Sequence, residues 1–163
     1  GYGTTVWSPL CGGILSGKYN DGVIESGARY ENPIIKAMTW DRYLGDSVKE
    51  KTLATLKGLK EFAEELGCTQ AQLALAWVIV NKDVSTCLMG ATRLSQIESN
   101  INALKIAAEW TPEKEAKMNS ILDNQPVPRL EFVKYNLDTP RRSLRVAYPL
   151  VLGKLERKTK LIK

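Results

Sequence analysis

Val84-Ser85-Thr86-Cys87-Leu88-Met89-Gly90-Ala91-Thr92 is the stretch whose reading decides the fold. Its first six residues, Val84 to Met89, read as a strand, which Gly90 closes. Ser95-Gln96-Ile97-Glu98 then has the pattern of a capping box and opens a helix to about Leu104. Upstream, Leu53, Leu56, Leu59, Phe62, Ala63 and Leu66 recur at three- and four-residue spacing. That spacing predicts a helix over 47–66 with one apolar face on the core, stopped by Gly67. Thr69 and Gln72 form a second capping-box pattern, opening a helix through about Asn81. This helix is apolar nearly all round from Leu73 to Val80, so it belongs deep in the packing. Helix, strand, glycine and helix in succession make the fold class α/β.

Outward from this unit, Thr4 to Trp7 reads as another buried strand, with Trp7 in the core. Ser8-Pro9 ends it, because proline cannot donate to a ladder. Leu10 to Gly17 is a Gly-rich loop, and residues 20–46 read as mostly irregular. Thr111 caps a last helix that has Pro112 in its first position and runs to about Leu122. The body therefore reads β–loop–α–α–β–α–α, without an internal repeat.

At 163 residues and 44% apolar, the chain is long enough for one real core. No apolar run approaches about 18 residues, so no membrane-spanning helix is expected. Gly1-Tyr2-Gly3 leads straight into a strand, with no signal or transit pattern. Cys11, Cys68 and Cys87 are odd in number and widely spaced, which points to reduced thiols and a cytoplasmic location. No histidine is present, which removes the commonest general base and metal ligand, and no metal site is expected.

Charge is unevenly placed. Residues 1–124 hold 13 basic and 15 acidic side chains, whereas residues 125–163 hold 10 and 3. The tail is also broken by Pro126, Pro128, Pro140 and Pro149, yet it keeps Leu130, Phe132, Tyr135, Leu144, Tyr148 and Leu150. It reads as a basic extension that docks either on the body or on a partner with an acidic protein surface. Its two tyrosines are too few for a base-stacking platform, so nucleic acid is not expected.

The turn at Gly90-Ala91-Thr92 supports two readings. A glycine at a strand end, followed by a helix start, offers free N–H groups and a positive dipole end to an anion. The same arrangement is also an ordinary strand–turn–helix. Trp7-Ser8-Pro9-Leu10 has the same ambiguity, because a strand ending in a turn need bind nothing.

Four motifs in this order carry a resemblance: Ser8-Pro9-Leu10, Gly17-Lys18-Tyr19, the run from Leu66 to Trp77, and Gly90-Ala91-Thr92. Together they resemble the last third of an aldo-keto reductase, above all the beta subunits of voltage-gated potassium channels. The resemblance covers about residues 1–124 and leaves out 125–163. It implies the C-terminal portion of an aldo-keto reductase TIM (β/α)8 barrel, incomplete, plus a basic C-terminal extension. A full barrel needs roughly 250 residues.

The resemblance also implies NADP(H) as cofactor, in a site that is either working or vestigial. Gly90 and Thr92 hold phosphate in this expectation, and Gln96 and Asn100 flank the adenosine. Trp7, Ser8, Pro9 and Leu10 end the strand and wrap the pyrophosphate, with the Ser8 hydroxyl as donor and Leu10 packed on the cofactor. Lys18 is a cation for phosphate, and Arg29 is a second one across a one-residue insertion. Where the family commonly has Glu before the Asn, this chain has Ser99, with Glu98 one position earlier. The family's catalytic Asp, Tyr, Lys and His or Asn come from the first half of the barrel and match no residue here.

Three functions follow as expectations. One is an NADP(H)-linked oxidoreductase family protein that lacks the catalytic half and is inactive alone. Another is a non-catalytic subunit of a large assembly, anchored by its tail. The third is a potassium-channel regulator. In each, a protein partner covers the open half-barrel, whose strand edges and apolar face cannot stay bare.

Overall fold

The computed structural model describes residues 3–125. The expectations for the basic tail concern residues outside that range. Two parallel strands, β1 (Thr4–Trp7) and β2 (Val84–Leu88), form the sheet, with Thr5 opposite Thr86, Val6 opposite Cys87 and Trp7 opposite Leu88. Thr4 ties the strand start down, its N–H and its hydroxyl both donating to the Asp83 carbonyl at 2.7 Å.

Between the strands lie the two helices expected from the leucine spacing. Helix α3 spans Lys49–Glu65 and α4 spans Gln70–Val80. Leu56, Leu59, Phe62 and Ala63 of α3 are buried, and Gly67 takes the left-handed conformation (φ +64) just beyond the helix. At the start of α4 the capping box forms as read. The Thr69 hydroxyl accepts from Gln72 N–H at 3.2 Å, and Gln72 Oε1 accepts from Thr69 N–H at 3.0 Å. The first half of α4 is buried through Leu73, Ala74, Leu75 and Ala76, and its last turn only partly so.

After β2, the single helix expected to about Leu104 is two, α5 (Leu94–Asn100) and α6 (Ala103–Ala108). Helix α7 (Pro112–Leu122) is capped by the Thr111 hydroxyl, which accepts from Lys114 N–H. Its Met118 is buried in the same cluster as Leu59 and Phe62 of α3.

Two expectations need correction. Residues 20–46 are not mostly irregular. Helix α1 (Pro33–Ile35), a π-turn at Lys36–Trp40 and α2 (Asp41–Leu44) run continuously from 33 to 44. Asn32 starts them, its Oδ1 accepting from Ile34 and Ile35 N–H at 3.0 and 3.2 Å. The strands, in turn, are not buried on both faces. Val6 and Cys87 are partly covered, and Cys87 packs on a cluster of Leu75, Ala76 and Ala103. Trp7 is 79% exposed and its partner Leu88 52% exposed. A β-rich apolar run signals a strand, but its burial depends on neighbours that no local pattern encodes. Both strands also keep an outer edge with no ladder partner among the described residues.

The larger core centres on three rings. Tyr19, Tyr30 and Trp40 stand with every pair of ring centroids 5.3 Å apart, two of the pairs edge-on. All three are buried together with Ile14, Leu44 and Leu56. Such pairs are worth about 0.5–1.5 kcal/mol each beyond the area they bury. Trp40→Ala is expected to cost about 3–5 kcal/mol. Urea unfolding followed by circular dichroism measures this, and a loss below about 1 kcal/mol means that the triangle is not a unit.

Candidate functional site

The cleft lies at the carboxyl ends of β1 and β2, where open α/β sheets place their ligands. Its volume is about 1110 Å³, just above the range of about 300–1,000 Å³ common for small-molecule sites. One wall is the loop after β1 with Gly27, Ala28 and Arg29, and the other is Met89 to Asn100. Thr69 and Ala71, at the start of α4, stand behind.

The first wall is a tight coil. Ser8 (φ 54) and Cys11 (φ 49) are left-handed, as are Gly12 and Gly13. Cys11 N–H donates to the Ser8 carbonyl at 2.9 Å, Gly13 N–H to the Leu10 carbonyl at 2.9 Å, and the Ser16 hydroxyl to the Gly13 carbonyl at 2.7 Å. Underneath, the Tyr30 hydroxyl donates to the Cys11 carbonyl at 3.1 Å. A Cβ on Gly12 would stand 2.3 Å from that hydroxyl, at a φ of +65 that side chains rarely adopt. Tyr30 therefore sets the height of the loop, and Gly12 is the residue that lets it do so.

The second wall departs from the expected capping box. Arg93 is the N-cap of α5, without a side-chain cap bond, so Ser95 is the second residue of the helix rather than its cap. Gln96 reaches back instead, its Oε1 accepting from Thr92 N–H at 2.9 Å and from the Thr92 hydroxyl at 3.3 Å. The Thr92 N–H is thus engaged within the chain. Gln72 joins this wall to the back of the cleft, its Nε2 donating to the Ser99 carbonyl at 2.7 Å.

Nine of the ten residues singled out in the sequence line this one cleft: Ser8, Pro9, Leu10, Lys18, Arg29, Gly90, Thr92, Gln96 and Asn100. The tenth, Trp7, does not, because strand alternation turns its ring to the open face of the sheet. Arg93 lines the cleft and was missed, although it is the only basic residue between Lys82 and Lys105 and directly follows Thr92. Among the described residues the lining holds Lys18, Arg29 and Arg93, and no carboxylate. Lys18 is paired with Glu25 at 3.9 Å, both well exposed, so this pair is weak. Among the described residues no group of His, Cys, Asp and Glu could hold a metal, and no helix is long and apolar enough to cross a membrane.

Burial pushes all three thiols up, with Arg42 and the Tyr43 hydroxyl pulling Cys11 back and Lys114 pulling Cys68 back. Burial pushes the Tyr30 hydroxyl up to about 12, helped by Cys11 and opposed by Arg29. Tyr30 is therefore a neutral donor at physiological pH, a prop rather than an acid.

Parallel strands joined through helices, with a cation-lined cleft at their carboxyl ends, define an α/β protein. The Aldo/keto reductase family model matches residues 1–123, and the chain belongs to that family. A protein of Arabidopsis thaliana named a probable voltage-gated potassium channel subunit beta is 42% identical over 126 residues. A putative voltage-gated potassium channel subunit beta of Schizosaccharomyces pombe is 41% identical over 130, and a probable one of Oryza sativa subsp. japonica 38% over 126. The matches cover 77%, 78% and 77% of this chain and 37%, 36% and 37% of the relatives. The chain thus matches little more than a third of the length of each.

Two pH effects follow. The Tyr30 contribution to stability is fully present below pH 10, the free phenol value, and is lost as pH rises through about 12. Chemical denaturation at stepped pH is expected to show that fall, and Tyr30→Phe to remove the Tyr30 part of it. With their acidity lowered by burial, the thiols are expected to alkylate at pH 8 at least several-fold more slowly in the folded chain than in urea. Equal rates would contradict the burial.

Proposed function

We propose that this chain carries the NADP(H)-binding part of an aldo/keto reductase-type oxidoreductase. The observation that carries the reading is the convergence of Ser8, Lys18, Arg29, Thr92, Gln96 and Asn100 on one cleft with, among the described residues, three cations and no carboxylate. The residues fit such a group. The cleft is large enough for a dinucleotide, and a Cβ placed on Gly27 or Gly90 meets nothing within 4 Å, so backbone there lies open to a ligand.

When bound, the cofactor supplies a hydride for the carbonyl carbon of an aldehyde or ketone. The chain's own part is to bind and orient it. Lys18 and Arg29 offset phosphate charge at the β1 wall, the Ser8 hydroxyl donates there, and Leu10 gives an apolar surface. Thr92, Gln96 and Asn100 form the opposite wall, where the adenosine end rests.

The family's catalytic Asp, Tyr, Lys and His have no match in this sequence, so the chain is inactive alone. It works once the outer edges of β1 and β2, and the open face bearing Trp7 and Leu88, are covered by the rest of such a fold. A second reading, regulation of a potassium channel, is supported by the names of the three relatives. The basic residues of 125–163 suit the role of an anchor to an acidic protein surface.

Fluorescence titration with NADPH, on the chain and on the assembly that contains it, tests the reading. Dissociation at about micromolar or tighter, near −8 kcal/mol, is expected in the assembly. Lys18→Ala is expected to weaken it about tenfold or more, as loss of a charged phosphate contact. Absence of binding in both samples defeats the cofactor reading.

A further inference from the structure

We propose that Gln70 is a positioning residue, which holds the Lys18 arm of the cleft by gripping the chain on both sides of Lys18. This rests on the cofactor reading above for what Lys18 meets, and it gives a role to a residue which that reading does not contain.

The grip matters because Lys18 itself is poorly held. Its ammonium pairs with Glu25 at 3.9 Å, and both groups are well exposed, so that pair does little to fix it. Its main-chain N–H reaches the Ser16 hydroxyl only at 3.4 Å. The chain on either side is held better, and by one side chain. Gly17 (φ +90) lies so close on Gln70 that a Cβ there would stand 3.5 Å from Gln70 Oε1 and 3.8 Å from Gln70 Cβ. Asn20 Nδ2 donates to the same oxygen at 2.8 Å. Gln70 is the first residue of α4 and is 6% exposed, and its neighbours Thr69 and Ala71 both line the cleft. A bond across 50 residues thus ends directly behind the arm.

Stability does not call for amides at this place. Asn20 Oδ1 and Gln70 Nε2 are both buried without a protein partner among the described residues. Leaving such groups unpaired costs more than one hydrogen bond returns, and apolar side chains in place of both partners are nearly neutral or stabilising. What an apolar pair cannot supply is direction, because apolar contact is non-directional and a hydrogen bond is not. The bond from Asn20 to Gln70 therefore serves placement, and the side chain it places beside the cleft is Lys18.

The test replaces the pair by Asn20→Ala with Gln70→Leu, in the full chain within the assembly that contains it. Urea unfolding is expected to show a midpoint equal to or above that of the wild type. In the ligand-free protein, hydrogen exchange is expected to quicken several-fold at the main-chain amides of 17–20 and to stay unchanged in α3. NADPH is expected to bind several-fold more weakly, but no more weakly where Lys18→Ala is already present, because a residue that acts through Lys18 then has nothing left to act on. The swapped pair, Asn20→Gln with Gln70→Asn, keeps both amides and their summed length, and it is expected to restore most of the binding and of the slow exchange.

A midpoint that falls while exchange at 17–20 is unchanged, or an apolar pair that does not fold, makes the contact a structural one and overturns the proposal. So does a loss of binding that adds in full to that of Lys18→Ala. In each case the cofactor reading stands. A wild type that does not bind NADPH overturns the cofactor reading, and exchange and unfolding still decide on Gln70.

Discussion

The cleft depends on one hydroxyl and three rings. Tyr19 follows directly on the loop after β1, while Tyr30 and Trp40 belong to the segment that leads into α3. No ladder joins the two stretches. What joins them is the close triangle of rings and the bond from Tyr30 to the Cys11 carbonyl. Because the rings are buried, their positions are fixed by packing on Ile14, Leu44 and Leu56 rather than by side-chain freedom. The loop inherits that rigidity through its backbone, and so do Ser8, Leu10 and Lys18.

The opposite wall is held differently. Gln72 spends its amide twice, once on the start of its own helix and once on the Ser99 carbonyl. A local cap thereby becomes a long-range tie, and the beginning of α4 fixes the end of α5. Nearby, Asn20 Nδ2 donates to Gln70 Oε1 at 2.8 Å, while Asn20 Oδ1 and Gln70 Nε2 are buried without a protein partner among the described residues. Each such group costs about 1–3 kcal/mol if nothing satisfies it. The contact beneath Gly17 is therefore less secure than the aromatic one above it.

What could be read from the sequence was whatever rests on local rules. The leucine spacing of α3, the Thr69–Gln72 box and Thr111-Pro112 are each a periodicity or a cap, and each stands where the pattern puts it. The cleft was legible for a different reason. Its residues lie in motifs whose order resembles a known family, and nine of the ten converge. The stretch from 33 to 44 was missed because Ile34 and Met38 are exposed and leave no apolar periodicity. The signal that could have found it was Asn32-Pro33, a capping residue followed by proline at the first helical position. Trp7 was misplaced because burial is a property of the whole assembly of elements. Ser95 was misplaced because a two-residue shift of the helix start, from Ser95 to Arg93, gives its role to other side chains. Neither the register of a helix nor what covers a sheet is written in a short window.

The pairing of β1 with β2 has a consequence in time. Thr4 and Asp83 are bonded across 79 residues, and the whole of α3 and α4 lies between them. Closing so long a loop costs entropy before any ladder bond repays it, and pairings of high contact order form late. The helices, with their local caps, can condense first on the aromatic cluster. The two strands meet only afterwards, and the cleft exists only once they have met. On the proposed function, the part of the molecule that would take a ligand is thus the part that matures last, and a bound ligand would act as a clasp on the slowest step of folding.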